Sequence, residues 1–213
     1  MAEPSGRVVV VTGATGPLGA LVCRLLDERG AIVLAVGTDA DRLDPVAATE
    51  RYVCNLADAD AVNELAEVIE TEYGNVDGLL HLVGGWRPGH ATADFDWLEE
   101  RLLTTLRHTT IAFHDDLSSS SAGRLAIVSS TGVDNPTWSN ANYTAIKAAS
   151  EAWVASIASG WRKGGSAAAV TFRVKAIGDF ADYTTPSLLA EHLAALWDLS
   201  HGTLNGSRVS LVP

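Results

Sequence analysis

The sequence predicts a doubly wound α/β fold, a parallel seven-stranded sheet with helices on both faces, and three observations carry that expectation. Short continuous apolar runs rich in β-branched residues recur along the chain. Each is followed by a segment with apolar residues at helical spacing, so strands and helices alternate. A glycine-rich turn joins the first apolar run to the first helical segment.

Arg7–Thr12, "RVVVVT", reads as a strand buried on both faces. Pro17–Arg29 follows as a helix with Leu18, Leu21, Val22, Leu25 and Leu26 on one side, closed by Gly30. Ala31–Val36 is the second strand, Asp41–Ala48 a short helix interrupted near Pro45, and Arg51–Cys54 the third strand. Asp58–Tyr73 is helical, with Val62, Leu65, Ala66, Val68 and Ile69 facing inward, and Asp77–Val83 is the fourth strand. One long helix is expected from Asp94 to about Leu117, with the serines at 118–121 forming the loop to a fifth strand, Arg124–Ser130. Asn142 to about Ser159 is a helix, Ala167–Val174 a sixth strand, Ser187 to about Asp198 a helix, and Ser207–Val212 the last strand. Right-handed crossovers leave few topologies for such a chain. Neither a repeat nor an interdomain linker interrupts it, so residues 1–213 are expected to form a single domain.

The bulk properties narrow the function. With 47% apolar and 19% charged residues the chain is an ordinary globular one, and its net charge of −11 gives no electrostatic footprint for nucleic acid or an anionic membrane. No apolar run is long enough to span a bilayer, and the polar start "MAEPSGR" has no signal-peptide core. Two cysteines, Cys23 and Cys54, are too few for a disulfide framework or a zinc site and suit a reducing compartment, so a cytoplasmic location is expected. The six histidines show no ligand spacing, and no metal is expected. His81 reads as a buried, hydrogen-bonded strand residue.

"VTGATGPLG" (Val11–Gly19) lies where the first strand meets the first helix. Glycines at 13, 16 and 19 permit a tight turn, close approach of backbone to ligand, and close helix–strand packing. The helix start then offers unpaired N–H groups to a pyrophosphate, and Pro17 gives up a donor that the first turn does not need. Thr15 and Leu18 belong to the same cradle. A Rossmann-like dinucleotide site is therefore expected. The second strand ends in Val36-Gly37-Thr38-Asp39, so Gly37 occupies the place of an NAD-type ribose carboxylate. With no carboxylate there to repel a 2′-phosphate, NADP is favoured over NAD; Arg42 either reaches that phosphate or is a solvated charge, and Asp39 is free to cap the next helix.

Tyr143 and Lys147 stand one helical turn apart in "NANYTAIKAAS", and Ser130 ends the fifth strand 13 residues before Tyr143. Ligands of open α/β sheets bind beyond the carboxyl ends of the strands, so all three side chains can converge there. Together with "TGATGPLG", this combination resembles the short-chain dehydrogenase/reductase superfamily over essentially the whole chain.

The resemblance implies an NAD(P)-dependent oxidoreductase that moves hydride between the nicotinamide and a carbonyl or secondary alcohol. It makes Tyr143 the general acid or base and Ser130 the hydrogen-bond donor to the substrate oxygen. Lys147 would hold the nicotinamide ribose and lower the tyrosine pKa, from the ordinary ~10 of a phenol. Thr38, Asn55, Leu56 and Gly84 join the glycine turn as cofactor-binding positions. It also implies a homodimer or homotetramer paired through the long helices.

The chain departs from the family pattern in several places. "HLVGG" (His81–Gly85) stands where the family has an "NNAG"-like stretch. No asparagine occurs from Trp86 to Asp134, so the family's relay asparagine is missing, with Thr104, Thr105 or His108 near its place. Asn55 replaces an aspartate, "AIGDF" (Ala176–Phe180) lacks a proline, and the substrate loop near 178–187 is short. A pocket that is open, or completed by another subunit, follows from that loop, with Trp86, Trp97 and Trp138 available to line it. These departures leave a second expectation beside the enzyme: a dinucleotide-binding sensor or scaffold of the same fold with little or no catalysis.

Overall fold

The computed structural model describes residues 4–163 and 165–212. Its strands are β1 (Val8–Thr12), β2 (Ile32–Gly37), β3 (Glu50–Val53), β4 (Gly78–His81), β5 (Arg124–Ser130), β6 (Ala168–Val174) and β7 (Ser207–Ser210). They form one parallel sheet in the order β3-β2-β1-β4-β5-β6-β7. The chain runs outward from β1 to β3, then returns to lay β4 on the other side of β1. That reversal opens a crevice at the carboxyl ends of β1 and β4.

Alternate residues of β1 feed two cores, as a strand buried on both faces requires. Val9 and Val11 pack with α1 (Pro17–Glu28) and α8 (Pro186–Ala194), through Val22, Leu26, Leu189 and Leu193. Val8 and Val10 face the opposite layer, which holds α3 (Ala59–Tyr73), α5 (Thr105–Ala112) and α7 (Ala141–Gly160). The first helices start for the reasons legible in their sequences: Pro17 opens α1, and Asp58 caps α3 by accepting from the Asp60 and Ala61 amides.

Several boundaries differ from expectation. The short helix α2 (Ala40–Leu43) ends before Pro45 instead of continuing to Ala48, and Asp39 caps it by accepting from the Arg42 amide. The single helix expected over residues 94–117 is three: α4 (Thr92–Glu99), α5, and α6 (His114–Ser119), with a π-helical segment at Glu100–Thr104 between α4 and α5. Threonines explain part of this. Thr105, Thr109 and Thr110 donate to the carbonyls of Arg101, Thr105 and Leu106, side-chain bonds that compete with the helical ladder and bend it. Phe113 then leaves helical geometry with its ring buried, and α6 takes up Ser118 and Ser119 from the expected loop. Near the end, α8 stops at Ala194, a 3-10 turn covers Leu196–Asp198, and a short α9 (His201–Leu204) precedes β7.

Candidate active site

The turn after β1 can only be built as written. Gly13 has φ of +69°, and a Cβ on it would lie 2.7 Å from the Leu82 carbonyl. A Cβ on Gly19 would lie 2.4 Å from the Gly13 oxygen, so α1 could not approach the strand. No side chain caps α1, which begins after Gly16, so its first-turn N–H groups are left for a ligand. Beyond this turn lies a cleft of about 1070 Å³, room for a dinucleotide and a small substrate.

Every position expected to touch a cofactor lies on that cleft: Gly13, Thr15, Gly16, Pro17, Leu18 and Gly19 at the turn, and Thr38, Asn55, Leu56 and Gly84 beyond it. Where β2 ends, Arg42 also lines the wall, its guanidinium donating to the Thr15 carbonyl at 3.2 Å. Asp39 is committed to its cap. Asn55 accepts from the Ala57 amide at 3.2 Å, which orients its carboxamide. The residues present thus fit a dinucleotide, with a cation and no uncommitted carboxylate where β2 ends.

The other end of the cleft holds Ser130, Tyr143 and Lys147. Ser130 Oγ accepts from the Gly132 amide at 3.1 Å, which leaves its proton free to donate. The Lys147 ammonium is buried and donates to the Val128 carbonyl at 2.7 Å. Burial pushes its pKa down to about 8, against the opposing pull of the Glu151 carboxylate.

One expectation is overturned here. Tyr143 is not made acidic by its neighbour: burial pushes the phenol up to about 12. The lysine nitrogen lies 5.8 Å from the centre of the tyrosine ring and is engaged by a backbone carbonyl, so desolvation of the phenolate goes uncompensated. Tyr143 therefore holds its proton at neutral pH.

The floor of the cleft resolves what stands near the missing asparagine. Thr104 donates to Glu99, and His108 donates to the Leu56 carbonyl; neither lines the cleft. Thr105 does, and its hydroxyl lies 3.2 Å from His81 Nε2. Because Thr105 spends its proton on the Arg101 carbonyl, this pattern assigns the imidazole proton to Nε2, leaving Nδ1 to accept from Thr12 at 2.9 Å. Burial, and secondarily the Lys147 charge, push the His81 pKa down to about 3, so the ring is neutral. His81 is thus the buried, satisfied residue expected, but it also forms part of the cleft. A histidine in an apolar strand gave only the first half of that picture.

Trp86 and Trp97 line the cleft, whereas Trp138 does not; it stacks on His90 at 4.2 Å beside a separate shallow groove. Trp86 donates to Asn140 at 3.2 Å. The guanidinium groups of Arg87, at 4.1 Å, and Arg101, at 5.3 Å, both lie over the Trp97 ring. Arg101 also donates to the Gly84 carbonyl, tying this wall to the cofactor side. Sequence reasoning passed over Arg101, which carries no motif. The short loop after β6 adds Ile177, Gly178 and Tyr183, braced by a Lys175–Asp182 ion pair. Among the described residues no cluster of His, Cys, Asp and Glu could hold a metal ion.

The fold and the cleft define an α/β protein with a glycine turn at one end of its cleft and a serine, a tyrosine and a lysine at the other. Residues 7–178 match the model of the short chain dehydrogenase family, and the chain belongs to that family. It is 31% identical over 159 residues to nodulation protein G of Rhizobium meliloti (strain 1021), covering 70% of this chain and 64% of that protein. It is 27% identical over 204 residues to the 3-oxoacyl-[acyl-carrier-protein] reductase of Haemophilus influenzae, covering 90% of this chain and 81% of the reductase. Its fold superimposes on a metagenomic short-chain oxidoreductase in complex with NADP with a TM-score of 0.81 at 23% identity, covering 99% of this chain and all 100% of the other. The chain spans 60% to 64% of the length of the first curated relatives it matches.

Proposed function

We propose that the protein is an NAD(P)-dependent oxidoreductase that interconverts a carbonyl compound and its alcohol, with NADP the preferred cofactor. The observation that carries this reading is the convergence of Ser130, Tyr143 and Lys147 on the cleft that begins at the glycine turn. Family membership supports it, as do the carbonyl-reducing relative and the NADP-bound structural neighbour. Arg42 and the uncommitted end of β2 support a 2′-phosphate. The same intact set of side chains favours turnover over a silent dinucleotide sensor.

When bound, the nicotinamide supplies or accepts the hydride. Tyr143 donates its phenolic proton to the carbonyl oxygen as that oxygen gains charge, and Ser130 donates a hydrogen bond to the same atom. Lys147 would hold the nicotinamide ribose. Tyr143 holds its proton at neutral pH, as the acid role requires. Thr105 and His81 form a neutral, hydroxyl-rich floor in place of the asparagine.

The test is NADPH and NADH oxidation over a panel of ketones and aldehydes at several pH values. Turnover with NADPH is expected, with kcat/KM for NADPH falling above about pH 8 as free Lys147 loses its proton. Tight NADPH binding with no turnover on any member of the panel would refute the reading.

Residues 1–213 are proposed to act as one cofactor-binding domain with a shortened substrate loop near 178–187, in the cytoplasm. Two free, buried cysteines support a reducing location, and no helix among the described residues is long and apolar enough to cross a membrane. A homodimer or homotetramer is proposed as well. Ala145, Ala148, Ala152 and Ala155 leave an open, small-residue face on α7, and Ile111 of α5 is 56% exposed. Light scattering is expected to give a multiple of the 22.4 kDa chain mass, and a monomer would exclude the pairing.

A further inference from the structure

Helix α7 carries two charged side chains, Lys147 and Glu151, one turn apart. Both are buried, and Glu151 is only 2% exposed. Its carboxylate is shared by three neighbouring strands. Oε1 accepts from Ser129 Oγ of β5 at 2.7 Å and from Arg173 Nε of β6 at 2.9 Å. Oε2 pairs with the Arg173 Nη2 group and, at 3.3 Å, with Arg208 Nε of β7. Arg173 then reaches Asp134 through Nη1, with contacts of 2.9 and 2.7 Å. Ser129 precedes Ser130, and Asp134 ends the turn (Thr131–Val133) that begins with the Gly132–Ser130 bond.

A buried ion network of this kind is a poor device for stability, since well-packed apolar residues often do as well or better. Its placement points to another use. The titratable and charged groups around Lys147 are Tyr143 and Glu151 on its own helix and His81 on β4, with Arg173 and Arg208 behind Glu151. Farther along the cleft lie Glu100, Arg101, Arg42, and Lys175 with its partner Asp182. Tyr143 and His81 are uncharged at neutral pH, so Glu151 is the near charge that favours an ammonium.

We infer that Glu151 is a positioning residue for Lys147: held by Arg173, it supports the ammonium's charge from one helical turn away and ties α7 to the loop that follows Ser130. The inference rests on the proposed role of Lys147, but its test does not. The chain has three lysines, Lys147, Lys163 and Lys175, so ¹⁵N-lysine NMR resolves the buried one against two exposed controls. In Glu151→Gln the Lys147 midpoint is expected to fall by roughly one pH unit, the effect of losing an opposite charge nearby. In Arg173→Gln it is expected to rise, because the carboxylate loses the cation that offsets it. The midpoints of Lys163 and Lys175 stay where they are in both.

A merely structural network predicts weaker folding in both variants with the Lys147 midpoint unmoved, or moved in the same direction in both. Either result overturns the inference. If one variant fails to fold, the direction of the shift in the other decides. The alkaline limb of kcat/KM is expected to follow the two midpoints. If the midpoints move as stated while that limb stays fixed, the network stands and the assignment of Lys147 to the reacting centre falls.

Discussion

Tyr143→Phe is expected to lower kcat by about 10²- to 10⁴-fold while leaving the affinity for NADPH within a factor of about two. The substitution removes one oxygen from a half-buried side chain and leaves the ring that packs against Leu98, Leu102 and Ile146. The fold should therefore persist, with little change in melting temperature. What is lost is the proton that the carbonyl oxygen needs, and Ser130 can offer only a hydrogen bond in its place. Steady-state kinetics with a ketone, alongside a fluorescence titration with NADPH, separates the two effects. Equal turnover by the variant would remove Tyr143 from the chemistry, and parallel loss of binding would make it a structural residue.

Lys147→Met is expected to abolish most turnover and, at the same time, to stabilise the folded chain. Burial holds the lysine at about 8 where an ordinary lysine has 10.5. At about 1.4 kcal/mol per pKa unit, the buried charge costs about 3 kcal/mol at neutral pH. Losing the bond from the charged donor to the Val128 carbonyl offsets about 2 kcal/mol of that, so a small net gain in stability is expected. Methionine has similar length and no charge to desolvate.

The pH dependence has a definite sign. Between about pH 8 and 10.5 the unfolded lysine keeps a proton that the folded one has shed, so the wild-type protein gains stability as pH rises through that window. The variant lacks this rise. Urea unfolding at pH 7 and at the top of the window measures both effects. A variant less stable than wild type at pH 7 would show that the ammonium is better solvated in the fold than its burial implies.

The adjacency of chemical groups was legible in the sequence, and their environment was not. β5 has the bounds expected of it, Arg124–Ser130, around an apolar run whose Leu125, Ala126 and Ile127 are buried whichever face they point to. The glycine turn was equally plain, although the close approaches that require Gly13 and Gly19 come from Leu82 after β4 and from the Gly13 oxygen. Helical periodicity continues through residues 94–117, however, and gives no hint of the π segment or of the break at Phe113. Those arise from threonine side chains bonding backward and from a ring seeking the core.

The tyrosine–lysine spacing predicts that the two share a face. It does not say whether the ammonium meets the phenol or a backbone carbonyl, and that distinction reversed the direction of the pKa shift. The four-residue spacing of Lys147 and Glu151 was as visible as that of Tyr143 and Lys147. Its significance needed Arg173 and Arg208, which lie on strands distant in sequence.

The tryptophans of the cleft wall give the molecule a built-in optical gauge. Trp86 and Trp97 border the space a reduced nicotinamide would enter, while Trp153 and Trp161 are bonded to Thr110 and Ser118 in the helical layer, and Trp197 to the Ala122 carbonyl. Reduced nicotinamides absorb where indoles emit, so occupancy should register as quenched tryptophan emission and a sensitised nicotinamide band. Replacing Trp97 would dim that response selectively, and no attached dye is needed to follow loading in real time.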